Sequence, residues 1–347
     1  MRWFPGMLQR SARPAYPKRA SSWGEMTMTK VALTGAALLW AGLVAADDDC
    51  AFTAERTAEE SADGIERLEI RAGAGDLNVE GENGLRSVYV TGSACARTEA
   101  QLDRVQLRLV REGSTLVLEA LPEAQGFSLR SWFGRNPAKL DVTVRLPAGL
   151  AVGIEDSSGR TRVANVGAAE IADGSGDLQI ENVRGALEVR DGAGQVSIRN
   201  VQGTVRIGDG SGDFSIAKVV GDVIVLDDGS GSMEIVDVQG NVTIGRDGSG
   251  DILVERVTGS VRIEEDGSGS IRIASVQHDV IIDRDGTGSI FVDDVQGDFT
   301  VEISGSGDVQ HQNVRGRVRI GGEAIAPDES DESTEADEAN EELEGER

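Results

Sequence analysis

The chain has 347 residues, of which 45 are glycine and 4% are aromatic, and its formal net charge is −26. So few large rings exclude an ordinary large globular core, and the interior has to be built from valine and isoleucine, which suit pleated strands. The acidity argues against nucleic acid as a partner, because phosphate binding requires clustered lysine and arginine.

The first predicted element is a secretory signal peptide at residues 1–46. Lys30 precedes an apolar run that ends with small residues at Ala46. This run is shorter than the roughly 20 residues that a membrane-spanning helix needs. A basic segment, a short apolar stretch and small residues are typical of a cleaved signal. An uncleaved membrane anchor is the alternative interpretation.

The signal predicts an exported protein that is periplasmic, on the cell surface or secreted, with no transmembrane segment in the mature chain. Residues 1–25 lengthen the basic segment, so Met26 and Met28 are alternative starts of translation. An acidic triplet directly before Cys50 argues against a lipid-anchored cysteine. The only other cysteine is Cys95, and in an oxidising compartment the two are expected to form a disulfide.

Residues 47–155 are predicted to form an irregular, β-rich N-terminal cap. A hairpin is expected between Gln106 and Leu118, with its turn at Gly113. An aromatic segment without alternation follows, and it either plugs the end of the core or forms a binding patch: Phe127, Trp132 and Phe133. The strands are expected at Leu68–Arg71, Ser87–Thr91, Val105–Val110, Thr115–Leu118 and Leu140–Leu146.

A repeated Asp-Gly-Ser-Gly motif dominates residues 156–322. Its spacing is 18 and then 19 residues, with degenerate copies at both ends. Such a period indicates a solenoid, in which each unit buries its apolar face only by stacking on its neighbours. The aspartates that begin the motif are Asp173, Asp191, Asp209, Asp228, Asp247, Asp266 and Asp285.

The apolar residues of each unit predict two short strands. Counting each motif aspartate as place zero, places five, seven, ten, fourteen and sixteen are apolar and polar residues separate them, which is the alternation of half-buried strands. Glycines mark both corners, where positive φ or close backbone approach is expected. The sequence therefore predicts an all-β, parallel β-solenoid with coils of about 19 residues, right-handed by the connection rule. Place ten is always valine: Val183, Val201, Val219, Val238, Val257, Val276, Val295 and Val314.

The C-terminal segment, residues 323–347, is strongly acidic and has scarcely any apolar side chain. A segment of this kind cannot bury enough surface to offset its ordering entropy, so it is expected to be a disordered tail. Such a tail would also hinder end-to-end assembly of solenoids, so truncation at Ala326 should promote filaments if the protein is a self-assembling scaffold.

The run from Leu140 to Gly149, followed by Gly-Ser-Gly-Asp units, resembles the putative adhesin family of exported β-strand-repeat proteins. The resemblance covers roughly residues 65–322. It implies a β-solenoid in the envelope or at the surface and no known biochemical activity. It supplies no catalytic residues to carry over.

The motif aspartates have two interpretations. Each carboxylate accepts hydrogen bonds from its own turn, or the file of carboxylates binds calcium. A second column at place four contains aspartates that are never in adjacent coils, which suits avoidance of repulsion better than a calcium site. Turn chemistry is therefore favoured, and no cofactor is expected. The weak calcium candidates are Asp209, Asp213, Asp247 and Asp251.

The function expected from these features is non-catalytic: a binding scaffold for an envelope or extracellular protein or glycan. The alternative is a β-helix enzyme acting on polysaccharide, which would need long loops around paired carboxylates. His278 at a corner and His311 in the last coil have no visible catalytic partners. The expected display column is Arg184, Gln202, Gln239, Gln277, Gln296 and Arg315.

Overall fold

The computed structural model describes residues 50–120 and 138–325. The predicted signal peptide, the aromatic segment with Phe127, Trp132 and Phe133, and the acidic tail from residue 326 onwards lie outside the described residues. A three-residue strand at Glu323–Ile325 occupies the first part of the stretch assigned to the tail.

Within the described residues, nearly all regular structure belongs to two sheets, and one short helix, α1, spans Glu99–Leu102. Sheet A contains β1 Phe52–Ser61, β3 Leu77–Glu82, β4 Ser87–Ala96, β7 Lys139–Pro147, β9 Thr161–Ala164, β11 Leu178–Val183, β13 Val196–Gln202, β15 Phe214–Val220, β17 Met233–Gln239, β19 Ile252–Val257, β21 Ile271–Val276, β23 Ile290–Val295 and β25 Val309–Val314. Sheet B contains β2 Arg67–Ala72, β5 Arg108–Glu112, β6 Thr115–Ala120, β8 Ala151–Asp156, β10 Ala169–Asp173, β12 Leu187–Asp191, β14 Val205–Asp209, β16 Val223–Asp228, β18 Val242–Asp247, β20 Val261–Ser268, β22 Val280–Thr287, β24 Phe299–Ser306, β26 Val318–Ile320 and β27 Glu323–Ile325.

Each coil contributes one strand to sheet B and then one to sheet A, and equivalent strands pair in parallel. In sheet B, for example, Val189 pairs with Ile207, and in sheet A Ile198 pairs with Ile216. The predicted parallel β-solenoid with two strands per coil is therefore confirmed. The apolar places face inward as expected, and Val257 at place ten is 1% exposed.

Parallel stacking begins before residue 156, earlier than the motif indicates. Strands β2 and β3 form a coil in register with β8 and β9, and β6 with β7 forms a further coil outside it. Arg71 pairs with Glu155, so Ala72 stands where the next coil has Asp156. A search for the motif aspartate misses these coils because alanine replaces it.

The remaining N-terminal strands are antiparallel and form the cap. Strands β4 and β1 extend sheet A beyond β7, and β5 extends sheet B beyond β6. The predicted hairpin is present, with Gly113 at φ +67° in its turn. Cys50 and Cys95 form the predicted disulfide, with their Cα atoms 5.3 Å apart, and it ties the start of β1 to β4.

Both corners of a coil stack glycine closely on the glycine of the preceding coil. At the motif corner Gly250 has φ +149°, and a Cβ atom there would lie 1.7 Å from the carbonyl oxygen of Gly231 in the preceding coil. Only glycine fits such a stack. At the other corner glycine stacks as well, and a Cβ atom on Gly240 would lie 2.3 Å from the carbonyl oxygen of Gly221. Near the end of each sheet-A strand from β9 onwards, at place nine and one residue before the invariant valine, residues other than glycine adopt φ 51–60°: Asn165, Asn182, Asn200, Lys218, Asp237, Arg256, Ser275, Asp294 and Asn313.

Candidate functional site

The motif aspartates and Asp156 are buried and stack on one another in successive coils. We call this stack the place-zero column. Strand pairing sets each beside the next, as in Asp191 with Asp209 and Asp247 with Asp266. Their exposed fractions run from 1% to 7%, and together with Thr161 they are the buried polar residues of the described part of the chain. Each sheet-B strand from β8 to β22 therefore contributes one buried carboxyl group to the interior: Asp156, Asp173, Asp191, Asp209, Asp228, Asp247, Asp266 and Asp285.

Only the first aspartate of the column shows the expected turn bonding in full. Asp156 accepts hydrogen bonds from the Ser157 amide at 2.9 Å and from the Thr161 hydroxyl at 2.8 Å. In the next six members neither carboxylate oxygen has a hydrogen-bond partner: Asp173, Asp191, Asp209, Asp228, Asp247 and Asp266. Nearby turn amides partly offset the rise in the pKa of several of these aspartates, yet none of the amides reaches hydrogen-bonding geometry. Turn chemistry alone does not satisfy these buried groups.

Burial and adjacent carboxylates raise the pKa values of the column. Burial is the largest cause in each case, and it raises the pKa of Asp173 to about 6 and of Asp191 and Asp228 to about 7. The pKa of Asp266 rises to about 8, because Asp247 and Asp285 on both sides add to the effect of burial. Close carboxylates cannot all ionise in a dry interior. Some members therefore carry a proton near neutral pH.

The place-four column is exposed and has a different task. Asp213 accepts a hydrogen bond from the backbone N–H of Ser232 at 2.9 Å, and Asp251 accepts one from Ser270 at 3.0 Å. Each donor belongs to the following coil. These carboxylates link neighbouring coils through the backbone.

The same device operates at the second corner, at place thirteen, where sequence reasoning found no signal. Short polar side chains there accept the N–H of the equivalent residue in the next coil at 2.8–3.3 Å. The signal that could have revealed it is the recurrence of Asp, Asn or Ser directly before the five sheet-B strands β16, β18, β20, β22 and β24. The acceptors are Asp222, Asn241, Ser260, Asp279 and Asp298.

The structure does not bring the weak calcium candidates to one point. Asp209 and Asp247 point into the interior, whereas Asp213 and Asp251, four residues later, are exposed. Across residues 50–120 and 138–325, no group of three or more His, Cys, Asp or Glu residues is arranged to hold a metal ion.

A shallow groove of about 750 Å³ follows the outer face of sheet A across five coils. In its floor the hydroxyls of Ser197 and Ser215 lie 3.4 Å apart. Beyond its end the Arg272 guanidinium covers the ring of Phe291 at 5.0 Å, so Phe291 is half-buried rather than a free apolar protrusion. The outward-facing side chains that line the groove are Gln195, Ser197, Asp213, Ser215, Ser232, Glu234, Asp251, Leu253, Ser270 and Arg272. We call this surface the sheet-A groove.

The outer face of sheet B carries a ladder of alternating charge. The pairing of β14 with β16 shifts between Ile207 and Asp209, and this shift accommodates the extra residue of the 19-residue coils. From β16 onwards the extra place holds charged side chains of alternating sign, and Arg246 lies 3.2 Å from Glu265. The ladder consists of Asp227, Arg246, Glu265 and Arg284.

The remaining sequence candidates occupy surface or terminal positions. Nδ1 of the exposed His278 lies 3.0 Å from the carbonyl oxygen of Thr258. His311 is half-buried, and its ring centre is 6.1 Å from that of Phe299. The predicted display column is exposed throughout: Arg184, Gln202, Gln239, Gln277, Gln296 and Arg315.

The class that these features define is a parallel β-solenoid of two-stranded coils, with a buried aspartate column and a disulfide-linked antiparallel cap. No protein-family model and no curated protein matches the chain. Within the described ranges, no helix is long and apolar enough to cross a membrane.

The chain is similar to several solved structures. A putative cell adhesion protein from Clostridium sporogenes is 12% identical with a TM-score of 0.28, over 78% of this chain and 100% of the other. A putative adhesin from Bacteroides fragilis is 13% identical with a TM-score of 0.33, over 77% and 97%. A putative lipid binding protein from Parabacteroides distasonis is 14% identical with a TM-score of 0.33, over 77% and 96%. Likenesses of this strength transfer no function.

Proposed function

We propose that the protein is an exported, non-catalytic binding scaffold of the cell envelope or cell surface, and that its sheet-A groove holds the partner. The adhesin-type role that the sequence resemblance implies is one form of this function. The disulfide between Cys50 and Cys95 supports an oxidising location outside the cytoplasm.

The observation that carries the proposal is the sheet-A groove itself. Its side chains repeat at the spacing of paired strands, about 4.8 Å, and they stand on strands whose backbones are fixed on both sides. Binding to such a surface requires little ordering of the protein, which favours affinity. A long partner that lies along successive coils would meet an outward-facing side chain at the same places of each coil.

The chemistry of the groove favours a partner rich in hydrogen-bond donors. Carboxylates of Asp213, Glu234 and Asp251 face the groove, and Arg272 is its one cationic lining residue. Hydroxyls and amides supply the other polar contacts. An extended glycan or a polar protein segment meets this requirement, whereas a polyanion would be repelled.

The location is tested by protease treatment of intact cells, followed by immunoblotting for the chain, with lysed cells as a control. Loss of the signal from intact cells would support surface display. Protection until lysis would support a periplasmic scaffold and would remove adhesion to other cells from consideration.

Binding is tested with a matched pair of double variants in the full exported chain. Ser215→Arg with Leu253→Arg fills the sheet-A groove, and Ile224→Arg with Ile281→Arg adds the same charge to the outer face of sheet B. Saturable binding of labelled protein to intact cells and to envelope fractions should fall at least tenfold for the groove variant only. Equal binding by both variants would contradict the assignment of the groove.

A further inference from the structure

The place-zero column is the largest polar feature of the interior that the proposed binding function does not use. Adjacent strands lie about 4.8 Å apart, so successive carboxyl groups of the column are direct neighbours. Two ionised carboxylates at that distance repel each other, and the repulsion grows as water is excluded. Six members have no hydrogen-bond donor on either oxygen.

We propose that the place-zero aspartates share protons along the column and that this makes the solenoid a pH-responsive element. A protonated carboxyl group donates a hydrogen bond to the ionised neighbour in the next coil. Each shared proton removes one repulsion and supplies the missing donor for two otherwise unpartnered oxygens. Loss of the protons at high pH leaves stacked buried charges and loosens the coils.

The directions of the pKa shifts fit an alternating arrangement. In the 19-residue coils, the pKa values of Asp228 and Asp266 are raised to about 7 and about 8, and both neighbours of Asp266 interact with it directly. Asp247 lies between these two, and burial raises its pKa as well, while its interactions with both neighbours partly offset that rise. In the proposed arrangement Asp247 is the acceptor between two donors.

Few other groups act on the column. Burial and the charge of Asp76 raise the pKa of Asp156, and the hydroxyl of Thr161 lowers it. At the other end Asp285 pairs with Ser304. At place five the inward side chains of sheet A in the same coils are Leu178, Val196, Phe214, Met233, Ile252, Ile271 and Ile290, and the buried residues at places seven and ten are valine and isoleucine, so none of them is titratable. No buried lysine, arginine or histidine faces the column among the described residues.

The sign of the effect follows from the raised pKa values. The unfolded chain loses these protons near the ordinary aspartate pKa of 3.8, whereas the folded column keeps them to about 6–8. Stability is therefore fully present below about pH 4 and is lost as the pH rises through about 6 to 8. Above that range the contribution of the column changes no further.

The test compares wild type with two triple variants of the full chain. Asp191→Asn, Asp228→Asn and Asp266→Asn replace the proton donors by amides. Asparagine ladders are stable in stacked parallel strands, and this chain has one in which Asn200 donates to Asn182 at 3.1 Å. The matched control removes three charges from the place-four column, with Asp177→Asn, Asp213→Asn and Asp251→Asn.

The readouts are the urea midpoint between pH 4.5 and pH 8.5 and the protons released on unfolding at pH 5.5. In wild type and the control, the urea midpoint should fall steeply as the pH rises. Unfolding at pH 5.5 should release about three protons or more from each of them. The column variant should show a much flatter profile and about three fewer protons.

Three outcomes would overturn the proposal. One is a wild-type midpoint that does not change with pH, and another is an equal slope in the column variant and wild type. The third is stabilisation at pH 8.5 by calcium or potassium in wild type but not in the column variant, since cations would then neutralise the column. If the triple variant does not fold, Asp266→Asn alone and the proton count of wild type decide the question.

Discussion

Asp247 and Asp251 are four residues apart in one turn, yet they belong to opposite environments. Asp247 is 1% exposed and has no hydrogen-bond partner, whereas Asp251 is exposed and accepts the N–H of Ser270. The same residue type repeats through the place-zero and place-four columns. The difference shows that position relative to the turn, and not residue type, decides whether a carboxylate links coils or has to share a proton.

The spacing of the two columns along the coils follows from these tasks. An exposed acceptor is not needed in every coil, because serine replaces aspartate at place four in several of them, as at Ser270 and Ser289. At place zero every coil from Asp156 to Asp285 has aspartate. Within an unbroken column every buried carboxyl group has a neighbour with which to share a proton, as the proposed proton sharing requires.

The strongest test of the comparison places a buried aspartate outside the column. Val257→Asp puts a carboxyl group at place ten, between Val238 and Val276 in the stacked valines. It has no carboxyl neighbour there, so we expect a loss of about 3–5 kcal/mol in the free energy of unfolding. The loss should grow as the pH rises from 5 to 8 and the group becomes charged, and urea unfolding at both values measures it.

Val257→Ala is the control for lost packing, and it should cost roughly 2 kcal/mol with no dependence on pH. If the aspartate and alanine variants were equally stable at pH 8, an isolated buried carboxyl group would be tolerated. Proton sharing would then be unnecessary to explain the place-zero column.

The next test targets the turn that separates the two columns. Gly250→Ala introduces a Cβ atom 1.7 Å from the carbonyl oxygen of Gly231, at a backbone φ of +149°. Strain and separation of the coils should cost roughly 3 kcal/mol. Gly208→Ala is the matched control, because the nearest atom to its Cβ is a side-chain oxygen at 3.6 Å. Thermal unfolding should show a lower midpoint for Gly250→Ala alone, and an equal midpoint for both would contradict the stacked-glycine explanation.

Much of the fold could be predicted from sequence, because one repeated motif aligned the coils from β8 onwards. The inward register of Val257 and the pairing of Cys50 with Cys95 follow from pattern and count. The positive φ at place nine could not be found, because residues as different as Asn200, Lys218 and Ser275 adopt it. Tertiary stacking overrides local preference at that place.

The candidate site was harder to predict than the fold. Polar residues beside glycine are normally assigned to exposed turns, so the burial of the place-zero column gave no signal. The place-thirteen acceptors were missed because Asp222, Asn241 and Ser260 share a task but not a residue type. The sheet-A groove depends on which outward residues become neighbours, and that follows only from the register of adjacent coils.

The smallest expected effect on the free energy of unfolding comes from a substitution in the exposed place-four column. Asp251→Ala removes the acceptor for the Ser270 N–H, a bond of 3.0 Å at the surface. Because water replaces the lost partner, we expect a cost of about 0.5–1 kcal/mol. Asp251→Ser should recover part of this loss, since the Ser260 hydroxyl accepts an equivalent N–H at place thirteen. Urea unfolding measures both variants, and hydrogen exchange at the Ser270 amide should quicken in the alanine variant. A cost above about 2 kcal/mol would mean that Asp251 has a structural task beyond this single bond.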